Sequence, residues 1–272
     1  MTTTISTQRL VRPSQGAIAY DVQGEGPLLL LVPGMGELRS TYRHIVPALV
    51  AAGFTVATTD LRGHGDSDTG FDSYGDEATA DDITALLREL GRPAIIVGNS
   101  MAAGSAVIVA AEHPELVSGL VLVGPFVRDT GGAVSRIAFR MLTAPLWVAA
   151  VWKGYMPTLY AGAKPADFDE YRERAIASMR RRDYARAFSK TTRTSHAPAK
   201  ASLPAVTAPT LVVMGEKDPD FKDPHAEARW AADALRGELV MVPDAGHYPQ
   251  AQQPQVTAAA IVEFARGVSA RG

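Results

Sequence analysis

The chain has 272 residues, of which 46% are hydrophobic and 21% are charged, and its formal net charge is −2. These values exclude disordered and fibrous proteins, and they give no indication of a nucleic-acid or membrane partner. The absence of cysteine excludes a disulfide framework, a thiolate metal site and a cysteine nucleophile.

The start of the chain, MTTTISTQRL, has no apolar core of the length that a signal peptide requires. The longest apolar stretches, 28–32 and 146–152, fall far short of the roughly 20 residues that span a bilayer. We therefore expect a cytoplasmic protein, monomeric or homodimeric. Its partner should be a small-molecule substrate, with no nucleic acid and no membrane involved.

Short apolar runs alternate with helical patterns along most of the chain. The runs typical of strands lie at about 7–11, 17–22, 28–32, 54–58, 94–97, 117–123, 210–214 and 239–242. Helical spacing occupies about 41–52, 77–90, 101–113, 224–235 and 253–266. No helix separates the first two strands, which predicts an antiparallel hairpin at the sheet edge. The alternation predicts an α/β fold with a mostly parallel, eight-stranded sheet and helices on both faces.

Residues 126–203 interrupt this alternation. They contain three helical stretches and no convincing strand, and they carry 14 Lys and Arg against 6 Asp and Glu. The rest of the chain is net acidic, so the composition changes at both boundaries. The sequence therefore predicts a core formed by 1–125 and 204–272, with 126–203 inserted as a helical lid.

A serine stands between a predicted strand and a predicted helix, in Gly98-Asn99-Ser100-Met101-Ala102. This context is typical of a nucleophile elbow, in which small flanking residues let the neighbouring backbone approach. The helix that follows directs its first N–H groups, beginning with that of Met101, to the place where an oxyanion develops. The alternative is a strand–helix turn with an incidental serine.

A serine nucleophile requires a general base and an acid that orients it. Of six histidines, His247 stands in the loop between the last strand and the last helix, where sites form in open parallel sheets. Asp218 directly follows the strand at 210–214 and is our candidate acid. Asp220 and Glu216 are nearby alternatives, and Asp129 is a more distant one.

The loop Pro33-Gly34-Met35-Gly36 follows a strand, and the N–H of Met35 is expected to pair with that of Met101 as the second oxyanion donor. A glycine-rich turn without a function is the alternative. The loop 60–67 is interpreted as structural. Scattered histidines predict no metal site, and neither Gly34-Met35-Gly36 nor Gly63-His64-Gly65 completes a dinucleotide fingerprint, so we expect no cofactor.

Taken together, the motifs at 33–36, 60–67, 98–102, 215–219 and 246–247 resemble the α/β-hydrolase superfamily. The resemblance covers nearly the whole chain outside 126–203 and implies a catalytic triad of Ser100, Asp218 and His247. The chain order of these three residues is the one expected of this fold. Relatives with an aspartate nucleophile, such as dehalogenases and epoxide hydrolases, are disfavoured because Ser100 occupies the elbow.

Two segments point to different branches of the superfamily. Gly-Asn-Ser-Met at 98–101 and Leu122-Val123-Gly124-Pro125 are similar to hydrolases that cleave carbon–carbon bonds in ring-cleavage products. Ala102 and Tyr248 depart from that group, which commonly has glycine and tryptophan there, and the segment after Asp60 looks like ordinary esterases. We therefore predict hydrolysis of a carboxylic ester or lactone. The alternatives are a carbon–carbon or thioester hydrolase with the same triad, or a ligand-binding protein with little turnover.

The segment 142–160 is rich in large apolar side chains and is expected either to line the substrate pocket or to pack on the core. The predicted pocket residues are Gly34, Phe126, Trp147, Trp152 and Tyr248. A basic stretch contains Arg172, Arg174, Arg180, Arg181, Arg182 and Arg186. One of these arginines would hold a substrate carboxylate if it faced inward, but a solvated face is the favoured interpretation.

Overall fold

A computed structural model describes residues 7–12, 15–130 and 132–270, with side chains omitted for 133–136. Residues 1–6 lie outside the described residues. They belong to the predicted core and to the N-terminal stretch that was considered as a signal peptide. Eight strands form one sheet in the order β1-β2-β4-β3-β5-β6-β7-β8. The strands are β1 Gln8–Arg12, β2 Gly16–Gln23, β3 Leu28–Val32, β4 Thr55–Thr59, β5 Ala94–Asn99, β6 Val117–Val123, β7 Thr210–Gly215 and β8 Glu238–Val242.

The sheet is mostly parallel, as predicted. Strand β2 is antiparallel to both β1 and β4, whereas the pairs that β3 to β8 form with one another are all parallel. The central strands are buried on both faces; all five residues of β3 are buried, for example. A continuous apolar run is what a strand covered by helices on both sides requires, and the run at 28–32 meets that requirement.

Eleven α-helices accompany the sheet in the part of the chain that the structure describes. They are α1 Val46–Ala51, α2 Asp76–Leu90, α3 Met101–Glu112, α4 Ala133–Leu142, α5 Val148–Leu159, α6 Phe168–Met179, α7 Arg182–Thr191, α8 Ala197–Ser202, α9 Pro224–Leu235, α10 Pro249–Gln252 and α11 Pro254–Ser269. The helix expected at 41–52 is divided into a 3-10 turn, Arg39–Tyr42, and α1. Pro47 lies in the first turn of α1, where its missing N–H is tolerated and where it fixes the start of the helix.

Apolar side chains fill both faces of the sheet. Helices α2, α3 and α9 pack on one face, where the core includes Leu30, Ile96 and Val107. Helices α1 and α11 cover the other face around Leu31 and Ile261. This arrangement confirms the prediction of helices on both faces, and it leaves the carboxyl ends of the parallel strands as the edge where a site can form.

The segment between β6 and β7 contains five helices, α4 to α8, where the sequence predicted three helical stretches. A turn that includes Pro145 separates α4 from α5, and the turn at Arg180–Arg181 separates α6 from α7. These helices form a third apolar cluster, which also includes Tyr248 of the core. That the segment acts as a lid remains a prediction. Among the described residues, no helix is long and apolar enough to cross a membrane.

Candidate active site

Ser100 occupies the sharp turn between β5 and α3. Its backbone φ of 59° and ψ of −124° lie outside the regions that non-glycine residues normally adopt. Its N–H donates to the carbonyl of Val123 on the adjacent strand, over 2.9 Å. A Cβ at Gly98 would lie 2.6 Å from the carbonyl oxygen of Ala102, and one at Gly34 would lie 2.7 Å from Cβ of Ser100. The turn therefore requires glycine at both positions.

His247 and Asp218 form a buried pair at the ends of β8 and β7. The imidazole Nδ1 lies 2.7 Å from Oδ2 of Asp218, and both side chains are almost completely buried. The backbone N–H of His247 donates to the carbonyl of Leu159, over 2.8 Å, which ties the loop to α5. Nε2 of His247 has no hydrogen-bond partner among the described residues. This nitrogen is therefore available to the cavity that Ser100 also lines.

The alternative acids have other surroundings. Asp129 accepts hydrogen bonds from the hydroxyl of Ser195 and the N–H of His196. Asp220 lies on the opposite edge of the imidazole from Asp218, with its Oδ2 3.6 Å from Nε2 of His247. Asp220 is held in place by Tyr155, whose hydroxyl donates to Oδ1 over 2.6 Å. Of the candidate acids, only Asp218 is placed to orient His247 through Nδ1.

The electrostatic surroundings of His247 favour the imidazolium form. Burial lowers the pKa of His247, but the carboxylates of Asp218 and Asp220 outweigh burial and raise the pKa to about 9. A smaller contribution comes from Glu37, a buried residue whose carboxyl accepts a 2.6 Å hydrogen bond from Tyr171. A general base must be neutral to accept a proton, so these carboxylates affect the pH at which His247 can act.

The predicted oxyanion loop is fixed by a residue that sequence reasoning treated as structural. Gly36 has a φ of 81° and donates its N–H to Nε2 of His64, over 3.1 Å. Burial lowers the pKa of His64 to about 4, so the ring is neutral and accepts through Nε2 while Nδ1 pairs with the carbonyl of Arg62. The N–H groups of Met35 and Met101 donate to no other described residue. Both remain available for an oxyanion.

A cavity of about 330 Å³ connects these groups. Its lining includes Ser100, His247 and Met35, together with the predicted pocket residues Phe126, Trp152 and Tyr248. Gly34 lies directly behind Ser100. The cavity falls within the size range of small-molecule sites and is lined mainly by apolar surface.

The prediction that Trp147 belongs to the substrate pocket is wrong. Its side chain is 48% exposed and lines a separate surface cleft with Lys153 and Arg180. The buried face of α5 is formed by Val148, Trp152, Met156 and Leu159, at helical spacing. Trp147 precedes that helix and lies off this face, so the same periodicity that turns Trp152 inward leaves Trp147 at the surface.

The cavity has a second, polar end that the sequence did not reveal. It is lined by Asp129, Thr130, Arg140, Thr192, Arg193, Thr194 and His196. His196 pairs through Nδ1 with Oδ2 of Asp76, 2.9 Å away, although 120 residues separate them in the chain. No local spacing could have indicated this pair. The six arginines of the basic stretch are not among the residues that line the cavity.

Three ligand-type side chains, Asp218, Asp220 and His247, place donor atoms within 4.8 Å of one another. Asp218 and Nδ1 of His247 are already hydrogen-bonded to each other, and Asp220 is bonded by Tyr155. These hydrogen bonds explain why the three side chains lie close together: they form a carboxylate–histidine arrangement.

Comparison with known proteins identifies the family of this chain. A model of the Alpha/beta hydrolase family matches residues 29–260. The chain belongs to the alpha/beta hydrolase family. A 2-(acetamidomethylene)succinate hydrolase of Mesorhizobium japonicum is 30% identical over 92% of this chain and 92% of its own length. The protein is accordingly a hydrolase.

Solved structures share the fold of this hydrolase at lower identity. An esterase of Thermogutta terrifontis superposes with a TM-score of 0.82 and 24% identity, covering 97% of this chain and 99% of the esterase. A bromoperoxidase of Bacillus anthracis gives a TM-score of 0.80 at 18% identity, covering 96% and 100% of the two chains. These similarities concern the fold, which hosts several reactions.

Proposed function

We propose that this protein is a serine hydrolase that cleaves a small-molecule carboxylic ester or lactone through an acyl-enzyme on Ser100. One observation carries the proposal. A strained serine at a strand–helix turn and His247, which is paired with the buried Asp218, line the same cavity, with two unused backbone N–H groups beside the serine. Nucleophile, base, orienting acid and oxyanion donors are the four parts that acyl transfer requires.

In the first half-reaction, Oγ of Ser100 attacks the carbonyl carbon, and its proton passes to Nε2 of His247. The carbonyl electron pair moves to oxygen, and the N–H groups of Met35 and Met101 hold the resulting oxyanion. Collapse of the tetrahedral intermediate breaks the bond to the alcohol oxygen, which takes the proton from His247. Water then attacks the acyl-enzyme with His247 again as the base, and Ser100 regains its proton.

Asp218 has a defined part in both steps. Because it accepts the Nδ1 proton of His247, it keeps Nε2 free to take the proton from Ser100, and it stabilises the imidazolium that forms. The pKa of about 9 means that most His247 is protonated near neutral pH. We therefore expect kcat/KM to rise with pH up to about 9.

The same residues would support a carbon–carbon or thioester hydrolase, because the nucleophile and base are shared. The relative from Mesorhizobium japonicum bears the name of a hydrolase of 2-(acetamidomethylene)succinate. A substrate panel should therefore contain esters, lactones, thioesters, diketones and that compound. Preference for an ester or lactone would support our proposal over the alternative with the same triad.

The direct test is covalent labelling with a fluorophosphonate probe, followed by intact mass measurement. We expect one adduct on the wild type, none on Ser100→Ala and much slower labelling of His247→Ala. Ser105→Ala is a matched control, because Ser105 is a buried serine of α3, the helix that begins directly after Ser100. Labelling of this variant should equal that of the wild type. A folded wild type that takes no label and hydrolyses no substrate in the panel would instead support a ligand-binding protein.

A further inference from the structure

The cavity differs chemically between its two ends, and Phe126 lies between them. The Phe126 ring centroid is 5.9 Å from that of His247 on one side and 5.4 Å from that of His196 on the other. The first end contains the reacting groups. The second end is polar and contains three nitrogen-bearing side chains, those of Arg140, Arg193 and His196. A substrate long enough to extend from Ser100 past Phe126 would contact both ends.

His196 is a fixed part of the second end. Its Nδ1 pairs with Asp76, whose carboxylate also accepts a 3.0 Å hydrogen bond from the hydroxyl of Thr194. Its backbone N–H donates to Asp129, over 3.0 Å. The residue is only 8% exposed, and no other described residue bonds its Nε2. The remaining polar edge of this imidazole is thus left to the cavity that it lines.

Arg140 and Arg193 reach the same end from different elements, α4 and the turn after α7. Neither guanidinium forms an ion pair or a hydrogen bond with another described residue. Other arginines are satisfied within the protein: Arg62 binds Asp82 over 2.7 Å, and Arg128 binds Glu227 over 2.5 Å. Two unpaired guanidinium groups on one concave surface attract an anion.

The acidic residues that the structure describes in the cavity leave both guanidinium groups unpaired. Asp129, at the same end, keeps its negative charge, but its oxygens accept from Ser195 and from the N–H of His196 and do not bind Arg140 or Arg193. Asp220 lies at the reacting end, beside His247. A substrate carboxylate next to the scissile carbonyl would face Asp220, whereas one held beyond Phe126 would face the guanidinium groups. The charge distribution therefore favours a carboxylate that is remote from the reacting carbon.

We propose that Arg140, Arg193 and His196 form a carboxylate subsite, so that the preferred substrate is an anionic ester or lactone whose carboxylate is several bonds from the scissile carbonyl. This proposal rests on the proposed function of Ser100. Guanidinium groups suit the role because their N–H groups match the two oxygens of a carboxylate. Both arginines are exposed at the cavity rim, so the attraction is partly screened by solvent and salt.

The test compares substrates that differ only in charge. The 4-nitrophenyl hemiesters of glutaric and adipic acid are measured against 4-nitrophenyl esters that end in a carboxamide. A second pair places the charge on the alcohol: 4-acetoxybutanoate and its amide. The variants are Arg140→Gln, Arg193→Gln, the double variant and Arg193→Lys. Arg186→Gln is the control, because Arg186 is an exposed arginine of the same segment that pairs with Asp183 outside the cavity.

We expect the wild type to prefer the charged member of one pair by about tenfold in kcat/KM, mainly through KM. The double variant should lose this preference and keep the kcat/KM for the neutral member within about twofold. Arg193→Lys should retain part of the preference, and Arg186→Gln should retain all of it. In the wild type, the preference should decrease as NaCl is raised, because the guanidinium groups are exposed.

The subsite would be overturned if charged and neutral members of both series reacted at equal rates and the double variant did not change those rates. Fluorophosphonate labelling of Ser100 would still support the hydrolase in that case. Binding of free glutarate and adipate, followed by calorimetry, tests the subsite without catalysis. If no ester reacts and Ser100 takes no label, the proposed function fails, yet dicarboxylate binding that is lost in the double variant would still support the subsite. Absence of binding to the wild type would count against it.

Discussion

The histidines of two buried aspartate–histidine pairs line one cavity, and the pairs differ in what lies at the free edge of the imidazole. Asp218–His247 and Asp76–His196 have similar separations, 2.7 and 2.9 Å, and Phe126 lies between the two rings. Nε2 of His247 is accompanied by Asp220 and by the serine of a strained turn. His196 is accompanied by arginines. We infer that the groups around Nε2, and not the Asp–His pairing itself, distinguish His247, the proposed base, from His196.

The difference follows from where the fold places each pair. Asp218 and His247 lie in the loops after the parallel strands β7 and β8. These loops are at the same sheet edge as Ser100, which follows β5. Asp76 begins α2, and His196 precedes α8 in the segment between β6 and β7. Only the first pair lies where neighbouring strand ends converge and a helix N-terminus supplies N–H donors.

The largest effects should come from Ser100→Ala and His247→Ala, and His196→Ala should have a much smaller one. We expect Ser100→Ala and His247→Ala to lower kcat for a neutral ester by about 10⁴- to 10⁶-fold, because the nucleophile and its base act as a unit. His196→Ala should change kcat by less than about tenfold and act mainly on KM for charged substrates. Steady-state kinetics with both substrate types measures this. Equal losses of kcat in the two histidine variants would remove the distinction between the pairs.

Replacing the aspartate of each pair by asparagine tests the comparison between the two pairs without changing the size of the side chain. Asp218→Asn should lower kcat by about 10⁴-fold without unfolding the protein, since it leaves His247 in the wrong tautomer. Asp76→Asn should leave kcat for a neutral ester within about threefold, and weaken folding by about 1–3 kcal/mol through the hydrogen bonds of His196 and Thr194. Urea denaturation of both variants separates the two roles. A loss of kcat in Asp76→Asn as large as that in Asp218→Asn would contradict them.

The sequence predicts the fold, and the positions of the proposed reacting residues, better than it predicts the rest of the cavity, for a physical reason. Local hydrophobic periodicity indicates strands and helices, and the alternation of strands with helices along the chain predicted the mostly parallel sheet that the structure confirms. Ser100, Asp218 and His247 each stand directly after a recognisable strand, so topology alone brings them to one edge. Asp76 and His196 meet only through tertiary packing, and so do Arg140 and Arg193. Trp147 shows the same limit, because one position along a helix decides between cavity and solvent.

Glu37 is a third buried carboxyl group near the cavity, and its partner is tyrosine instead of histidine. Burial raises its pKa to about 7, against the lowering effect of the hydrogen bond from Tyr171. The folded protein therefore binds this proton more tightly than the unfolded chain does. The stabilisation is complete below the ordinary pKa of 4.5 and is lost as the pH rises through about 7.

Glu37→Gln should remove this dependence. Relative to the wild type, the variant should gain up to about 3 kcal/mol of unfolding free energy between pH 4.5 and pH 8. Urea denaturation across this range measures the difference, and the exposed Glu216 provides the control variant Glu216→Gln. A difference between Glu37→Gln and wild type that stays constant with pH would show that folding does not raise the pKa of Glu37.

The smallest effect concerns Asp220, which distinguishes the surroundings of His247 from those of His196. Its carboxylate, 3.6 Å from Nε2, stabilises the imidazolium together with Asp218 and Glu37. Removing that charge in Asp220→Asn should lower the pKa of His247, so the neutral base is present at lower pH. We expect the acid limb of kcat/KM to move down by about one pH unit.

Asp129→Asn is the matched control for this shift, because Asp129 lines the same cavity at its other end, where its carboxylate contacts Ser195 and His196. Its acid limb should stay at the wild-type position, near pH 9. Tyr155→Phe removes the hydroxyl that holds Asp220 and should shift the limb less than Asp220→Asn does. If Asp220→Asn left the limb in place, or raised it, the charge at the reacting edge of His247 would not control the base. The two Asp–His pairs would then differ only in their access to Ser100.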